Sequence, residues 1–492
     1  MTQGVAFVFS EARQSFRRLM GAVLSRPMLL VAMTLYWIWV NMGYQTSAVL
    51  RPMNTGIVVL PSQMGPIFLS VVAYALISVW FRATRRTFRS DYFLVGTGVL
   101  MSLSALMLTL WVNADLVSVE SFGGVFLYVL GSIAFGISSA VMCIELQRVF
   151  GCLGSEHVLF HGSIALLGSV IVVAVLSVLP VLAQQVTFIV VSLAIPPLLI
   201  RVRREFTKKS LFERGASKPL AVPTKLLYTS FLHGMSYGVL LGTFTLFGLT
   251  ESSYLMDAIF AYAVAAVFSI VAAITLGFDF DGLLYQIGFP IVALGMYLSL
   301  VIGGSIGVIV QLAGFCFLHL TMWGVCAFLI KRFDMPCTWV IGVSTCLFMM
   351  GQLVGSLLGV VVSVSGDTAE SLSSVLITCV VVFLGSSLYM MSSKNLRTGW
   401  GLAKADSRDD SLGKHGVFAV ETMASEYSLT AKELDVLVEL AKGKNRRAIS
   451  EDMCVSPETV KTHIQHIYRK CDVHSSQDLI RLLERFKDRV AS

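Results

Sequence analysis

Ser456-Pro457-Glu458-Thr459-Val460-Lys461-Thr462-His463-Ile464-Gln465-His466-Ile467-Tyr468-Arg469-Lys470 reads as one helix with two unlike faces. The Ser456 hydroxyl can cap it, and Pro457 suits the first helical position, where a missing N–H costs nothing. Val460, Ile464, Ile467 and Cys471 recur at helical spacing and make an apolar face. Lys461, Thr462, Gln465 and Arg469 fall on the other side, polar and partly cationic. Such a helix packs on its own domain with one face and offers the other to a DNA groove.

The flanking residues complete a helix-turn-helix plan. Thr430-Ala431-Lys432-Glu433 is a capping box that opens a helix with Leu434, Leu437, Val438 and Ala441 on its apolar side. Gly443 ends that helix, and Asn445 caps a short second one that runs through Ile449 to Met453. A fourth begins at Ser475, with Asp478 three residues on, and carries Leu479, Ile480, Leu483 and Phe486.

This stretch resembles the DNA-binding domain of LuxR-type (GerE-type) transcription regulators. The resemblance is carried by Leu429-Thr430, Glu433, Val436-Leu437, Leu440-Ala441, Gly443, Ile449, Ser456, Thr459-Val460-Lys461, His463, Ile467, Lys470, Val473 and Ser475. It implies that Lys461, Thr462 and Gln465 read bases of double-stranded DNA, while Lys444, Arg446, Arg447 and Lys470 sit near phosphates. It also implies a homodimer on DNA, joined through the fourth helix, whose exposed part around Leu482, Leu483 and Phe486 is small. Arg446, Arg447 and Ala448 stand where the family usually has Asn, Lys and Glu, which adds charge for phosphate.

The rest of the chain has another character. Over its 492 residues apolar types make up 55% and charged types only 14%, where a soluble average is about a quarter charged. Of 37 Lys and Arg, 17 follow residue 392, and the others cluster between apolar runs. The net charge of +7 is therefore not one basic surface. The apolar runs are long enough to cross a bilayer, at about 20 residues each. Spans are expected near 28–49, 62–80, 92–112, 123–147, 158–182 and 186–200, then near 226–249, 257–277, 284–302, 306–330, 338–363 and 372–392. The segment 1–27 lacks the layout of a cleaved signal peptide and is expected to be retained.

Nineteen cationic residues fall in alternate loops, from Arg13 to Arg332, against Arg51 alone in the opposite ones. The positive-inside rule then puts both termini in the cytoplasm and the spans in the inner (cytoplasmic) membrane. Both termini inside is also where DNA is.

The basic loop 201–225 separates the spans into sets of six. Cys143-x-x-Leu146-x-Arg148-x-Phe150 recurs as Cys326-x-x-Leu329-x-Lys331-x-Phe333, and Met42-Gly43-Tyr44 is similar to Met235-Ser236-Tyr237. The arrangement resembles the major facilitator superfamily, although the loop Phe81–Arg89 lacks that family's charged signature. The expected fold is all-α. A polytopic membrane bundle of two six-helix halves (28–200 and 226–392) is followed by a flexible linker, 393–424, and a helix-turn-helix domain, 425–490. The resemblance implies a central cavity lined by the first, fourth, seventh and tenth spans.

On those spans lie Trp37, Asn41 and Tyr44, spaced to share one face, then His233 and Tyr237, then His319 and Trp323. Glu145 is the one acid expected inside a span, and no Lys or Arg is expected there. These eight residues are the candidate pocket for a small aromatic or polar molecule; the plain alternative for each is helix packing. Gly351, Gly355 and Gly359 form a stripe that reads as close helix packing. The nine cysteines are scattered, without CxxC or metal-ligand spacing. With no phosphate-binding loop and no nucleophile–base signature, no enzyme activity, metal or cofactor is expected. A membrane-bound one-component transcription regulator fits these features, with DNA, the lipid bilayer and a small molecule as partners. The alternative is a secondary transporter with a regulatory DNA-binding tail.

Overall fold

The computed structural model describes residues 2–46, 48–49, 53–54, 59–60, 62–113, 121–212, 222–243, 246, 251–275, 280–332, 335–365, 368–391, 420, 422–424, 426–441, 446, 449–450 and 457–491. The chain divides into two compact units, residues 1–397 and 398–492. Most of the expected linker, the expected caps Asn445 and Ser456, and the end of the expected second tail helix at Met453 lie outside the described residues.

Among the described residues the first unit is mainly helical, with a two-residue antiparallel pairing of Met53–Asn54 with Val59–Leu60. Its helices are α1 (Thr2–Leu24), α2 (Pro27–Gln45), α3 (Met64–Val79), α4 (Phe81–Phe88), α5 (Asp91–Val112), α6 (Phe122–Leu153), α7 (Ser155–Ser177) and α8 (Val181–Arg203). They continue as α9 (Lys208–Phe212), α10 (Thr224–Thr243), α11 (Glu251–Thr275), α12 (Phe289–Val301, entered through a π-helical turn Gly282–Gly288), α13 (Gly304–Arg332), α14 (Cys337–Val364) and α15 (Thr368–Met390). Local chemistry sets the ends. Pro27 opens α2 after Arg26 has left helical geometry, and α1 meets α2 at a bend of 87°. Ser90 and Ser121 cap α5 and α6 by accepting from the Phe93 and Gly124 amides, and Gly154, at φ +103°, ends α6.

Among the described residues nine helices are long and apolar enough to cross a membrane, or eleven if each bent pair counts as one span. Each of the twelve expected spans coincides with a helix. The one outside that tally is α10, whose Lys225, Thr229, Ser230, His233 and Ser236 lower its hydropathy. All five are buried against neighbouring helices. Outward faces carry the apolar residues instead, such as Val95, Val99 and Leu103 on α5 and Val125, Phe126 and Val129 on α6. A surface so apolar is solvated by lipid, not by water.

Helix packing repeats between the halves. α3 lies on α6 as α11 lies on α13; α5 lies on α6 and α8 as α12 lies on α13 and α15; α2 lies on α7 as α10 lies on α14. The halves then meet reciprocally, α3 on α14 and α7 on α11. The weak sequence repeat therefore corresponds to a two-fold relation in packing.

The closest crossing joins α10 and α14. Gly234, Gly238 and Gly242 on one helix face Gly351, Gly355 and Gly359 on the other. A Cβ at any of the six would run into backbone: Phe348 O for Gly234, Gln352 O for Gly238, Phe231 O for Gly351. The stripe on α14 is expected from the sequence; its partner on α10, at the same four-residue spacing, was missed.

The second unit has its own core of Val420, Met423, Val436, Leu437, Ile449, Val460, Ile467, Cys471, Leu479, Leu483 and Phe486. Its described helices are Ala431–Ala441, Pro457–Cys471 and Ser476–Ala491. The capping box is closed both ways, with the Thr430 amide donating to Glu433 Oε2 at 2.8 Å and the Glu433 amide to Thr430 Oγ1 at 3.4 Å. Ser475 caps the last helix by accepting from the Asp478 amide. Leu483 and Phe486 differ from expectation. They face the core and are buried, whereas Ile480 is the exposed apolar residue of that helix.

Candidate ligand cavity and nucleic-acid interface

A cavity of about 100 Å³ lies inside the first unit, lined from both halves by α2, α3, α6, α10, α11, α13 and α14. Seven of the eight candidate residues line it: Trp37, Asn41, Tyr44, His233, Tyr237, His319 and Trp323. Each sits on α2, α10 or α13, where every third or fourth residue turns to one face. The walls are aromatic. Trp37 packs on Trp323 at 5.6 Å and on His319 at 5.6 Å, and His319 continues to Phe348 at 5.1 Å. His233 stands 4.6 Å from Phe348 and 4.9 Å from Phe315, which stacks on Tyr237.

Polar groups in this wall are mostly tied to the protein. Gln45 Nε2 donates to the hydroxyls of Tyr237 and Tyr262, both at 2.9 Å, which joins the halves across the cavity. Asn41 Nδ2 donates to Ser169 Oγ, and His233 Nε2 lies 3.2 Å from the Phe315 carbonyl. Gln45, Gln352, Tyr36, Tyr74 and Tyr262 also line the cavity and were missed by sequence reasoning. A glutamine in an apolar run was the available signal for two of them.

Glu145 is not in the cavity, which corrects the expectation. It lies 1% exposed near the end of α6, where Arg148 Nε donates to its Oε1 at 2.8 Å and Arg203 Nη1 approaches Oε2 at 3.3 Å. The expectation of spans free of Lys and Arg also fails, because α6, α8 and α10 run on past the apolar stretches. Arg148, Arg203 and Lys225 are all buried. Burial is tolerated because each charge has partners. Arg148 reaches the Leu211 carbonyl and Thr338 Oγ1, Arg203 reaches the Phe88 carbonyl, and both guanidiniums lie 4.9 Å from the Phe212 ring. Lys225 pairs with Asp281 at 2.6 Å. Among the described residues no group of acidic, His and Cys side chains could hold a metal ion.

On the tail, the helix Pro457–Cys471 buries Val460, Ile467 and Cys471 and exposes Lys461, Thr462 and Gln465. Lys461 pairs within the helix with Glu458 at 3.3 Å, and Thr462 donates to the Glu458 carbonyl. Arg446 is exposed, while Lys444 and Arg447 lie outside the described residues. Lys470, the other expected phosphate contact, has partners within the tail. Its ammonium donates to Glu433 Oε2 at 2.7 Å and to the Ser428 carbonyl at 2.9 Å, which ties the helix Pro457–Cys471 to the helix Ala431–Ala441. Burial pushes the Glu433 carboxyl up, but Lys470 and the Thr430 amide and hydroxyl outweigh that and hold it at about 2.

Comparison with known proteins separates the two units. Residues 427–483 match the family model of bacterial regulatory proteins, luxR family (GerE). Relatives include the transcriptional regulatory protein LiaR of Bacillus subtilis (strain 168), 46% identical over 46 residues, 9% of this chain and 22% of that protein. The nitrate/nitrite response regulator protein NarP of Escherichia coli (strain K12) is 47% identical over 47 residues, 10% of this chain and 22% of that protein. The chain thus spans about a fifth of the length of these curated relatives. For the membrane unit, a crystal structure of a Major Facilitator Superfamily (MFS) transporter, FucP, in the outward conformation has a TM-score of 0.47 and 13% identity, covering 74% of this chain and 99% of that one. The tail, with its closed capping box and its polar third helix, is a LuxR-type helix-turn-helix domain on a polytopic helical membrane protein.

Proposed function

We propose that the chain is a membrane-bound one-component transcription regulator. The membrane unit senses a small molecule in the cavity, and the tail binds promoter DNA as a homodimer through Lys461, Thr462 and Gln465, with Arg446 near phosphate. Lys444 and Arg447 are proposed phosphate contacts on sequence grounds alone. Both termini are placed in the cytoplasm, with the spans in the inner membrane. The observation that carries this reading is the union, in one chain, of a LuxR-type domain with a buried cavity lined from both membrane halves.

Tethering two tails in one membrane assembly raises their effective concentration, so that a change in association of the membrane units can switch DNA binding. The test replaces residues 1–400 with a constitutive soluble dimerisation module. Ligand-independent operator binding and transcription support control through dimerisation. A folded, dimeric but silent fusion sinks it. A reporter active only outside the cytoplasm, fused after Glu120 or Thr368, is expected to work, and to fail after Thr207. The same cavity supports a second reading, a secondary transporter with a regulatory tail, which saturable counterflow in proteoliposomes would favour.

A further inference from the structure

The cavity carries a chemical specification of its own. Its lining has no Asp, Glu, Lys or Arg among the described residues. The nearby ions Glu145, Arg148 and Arg203 are outside the lining and pair with one another, one carboxylate between two guanidiniums. A charged ligand would shed its hydration shell here and find no counter-ion, a large cost in a low-dielectric interior. The occupant is therefore uncharged when bound.

Shape comes next. Trp37, Trp323, His319, Phe348 and Phe315 form a continuous aromatic wall, and flat rings pack on such walls in offset or edge-on geometry. The free volume, about 100 Å³, is below the ~150 Å³ of an apolar cavity that takes benzene, so the occupant is at most one substituted ring and its entry widens the cavity.

Polarity completes the pattern. Four lining side chains, each at least nine-tenths buried, keep a polar atom without a hydrogen-bond partner: Trp37 Nε1, Trp39 Nε1, Gln45 Oε1 and Gln352 Oε1. Gln45 has committed its amide hydrogens to Tyr237 and Tyr262, so its carbonyl is what remains to offer. An indole N–H can only donate, and an amide oxygen can only accept. Two donors and two acceptors, with the Tyr44 hydroxyl also unpartnered among them, ask for the converse set, because a buried unpaired polar atom is costly and a partnered one is not. His319 Nδ1 is also without a partner and takes either role according to its tautomer.

We propose that the cavity takes an uncharged, single-ring aromatic molecule bearing a carbonyl acceptor with two lone pairs and two donor hydrogens, the pattern of an aryl carboxamide. This rests on reading the cavity as the sensory site and names its ligand class. The indole N–H groups of Trp37 and Trp39 donate to the ligand carbonyl, and the Gln45 and Gln352 carbonyls accept from its amide hydrogens.

Benzamide, benzoate and benzamidinium share one shape and differ in charge, and toluene keeps the ring alone. The test measures thermal unfolding and intrinsic tryptophan fluorescence of the full-length protein in detergent, with each compound at millimolar concentration. Benzamide is expected to stabilise the protein and quench fluorescence, with both ions about tenfold or more weaker. Trp37→Phe, which keeps an aromatic ring and loses the donor, and Gln352→Met, which keeps length and loses the acceptor, should each weaken benzamide about tenfold more than they weaken toluene. Equal or tighter binding of either ion overturns the proposal, as does no benzamide binding at about 10 mM or variants that bind it like the parent. A promoter reporter read in parallel separates the two levels. Benzamide binding without any change in transcription keeps this inference and removes the sensory reading.

Discussion

Arg148 on α6 donates from Nη2 to Thr338 Oγ1 at the start of α14, at 2.8 Å, and the two residues belong to opposite halves of the membrane unit. The same guanidinium holds Glu145 and the Leu211 carbonyl, so one buried cation ties α6, α9 and α14 together. Lys331 Nζ makes the reciprocal crossing, donating to the Leu153 carbonyl at 2.8 Å. These bonds close the bundle at the end that carries the 201–225 loop.

That arrangement ranks three substitutions. Glu145→Gln leaves Arg148 and Arg203 buried without their counter-charge and should destabilise by about 3–5 kcal/mol. Arg148→Ala should cost a similar amount by stranding part of the carboxylate. Thr338→Val removes one hydrogen bond and should cost about 1 kcal/mol. Thermal unfolding of the purified full chain orders them; a Glu145→Gln protein as stable as the parent would show that the cluster does not hold the helices.

Side chains on the recognition helix should divide by kind. Lys461→Ala or Gln465→Ala should weaken specific operator binding by about 1–3 kcal/mol for each base that is no longer read. Arg446→Ala should weaken binding to every sequence and lower the salt slope by about 1. Lys470→Met should instead lower the stability of the tail and leave the salt slope alone, since its ammonium is held by Glu433. Footprinting across a salt series separates these outcomes, and an unchanged site and affinity in Lys461→Ala would refute the helix assignment.

Acid should loosen the tail at one carboxyl in particular. Glu433 is held at about 2 in the folded domain, below the value of about 4.3 for an unfolded glutamate. Its contribution is full above the unfolded value and is lost as pH falls through about 4 toward about 2. The tail should therefore unfold in less urea at pH 3 than at pH 6. Glu433→Gln should flatten that dependence, and a variant with the parent's full acid sensitivity would assign it elsewhere.

Glycines divide into two classes by what a methyl would meet. Gly238→Ala and Gly355→Ala force α10 and α14 apart and should cost about 1–3 kcal/mol by overpacking. At Gly96 and Gly385 an added Cβ meets nothing within 4 Å, so alanine there should be neutral or slightly stabilising. Melting temperatures of the four variants check this, and equal shifts in all of them would remove the close crossing.

Signals confined to neighbouring residues were legible in the sequence. Thr430 and Glu433 cap one helix and Ser475 another because the side chains involved lie within three residues of the amides they satisfy. Trp37, Asn41 and Tyr44 meet His233, His319 and Trp323 because helical spacing and the pairing of the halves together point them inward. The burial of Arg148 and Arg203 was not legible. Hydropathy stops a span at its first charge, whereas α6 and α8 continue because partners distant in sequence, Glu145 for Arg203 and Thr338 for Arg148, make the charges tolerable. The partners of Lys470 were hidden for the same reason: a lysine on an exposed helix looks free until Glu433, 37 residues earlier, is placed beside it.

The glycine crossing of α10 and α14 makes the cavity adaptable on one side only. His233 and Tyr237 belong to one of these helices, and Ser344, Phe348 and Gln352 to the other. Backbones that touch cannot draw closer, and they cannot part without losing the whole seam. This wall therefore behaves as a fixed template. The opposite wall, on α2 and α13, is built of side chains that can be exchanged without moving a helix axis. Divergence toward a new ligand would run through Trp37, Met322 and Trp323 while the glycine seam stayed unchanged.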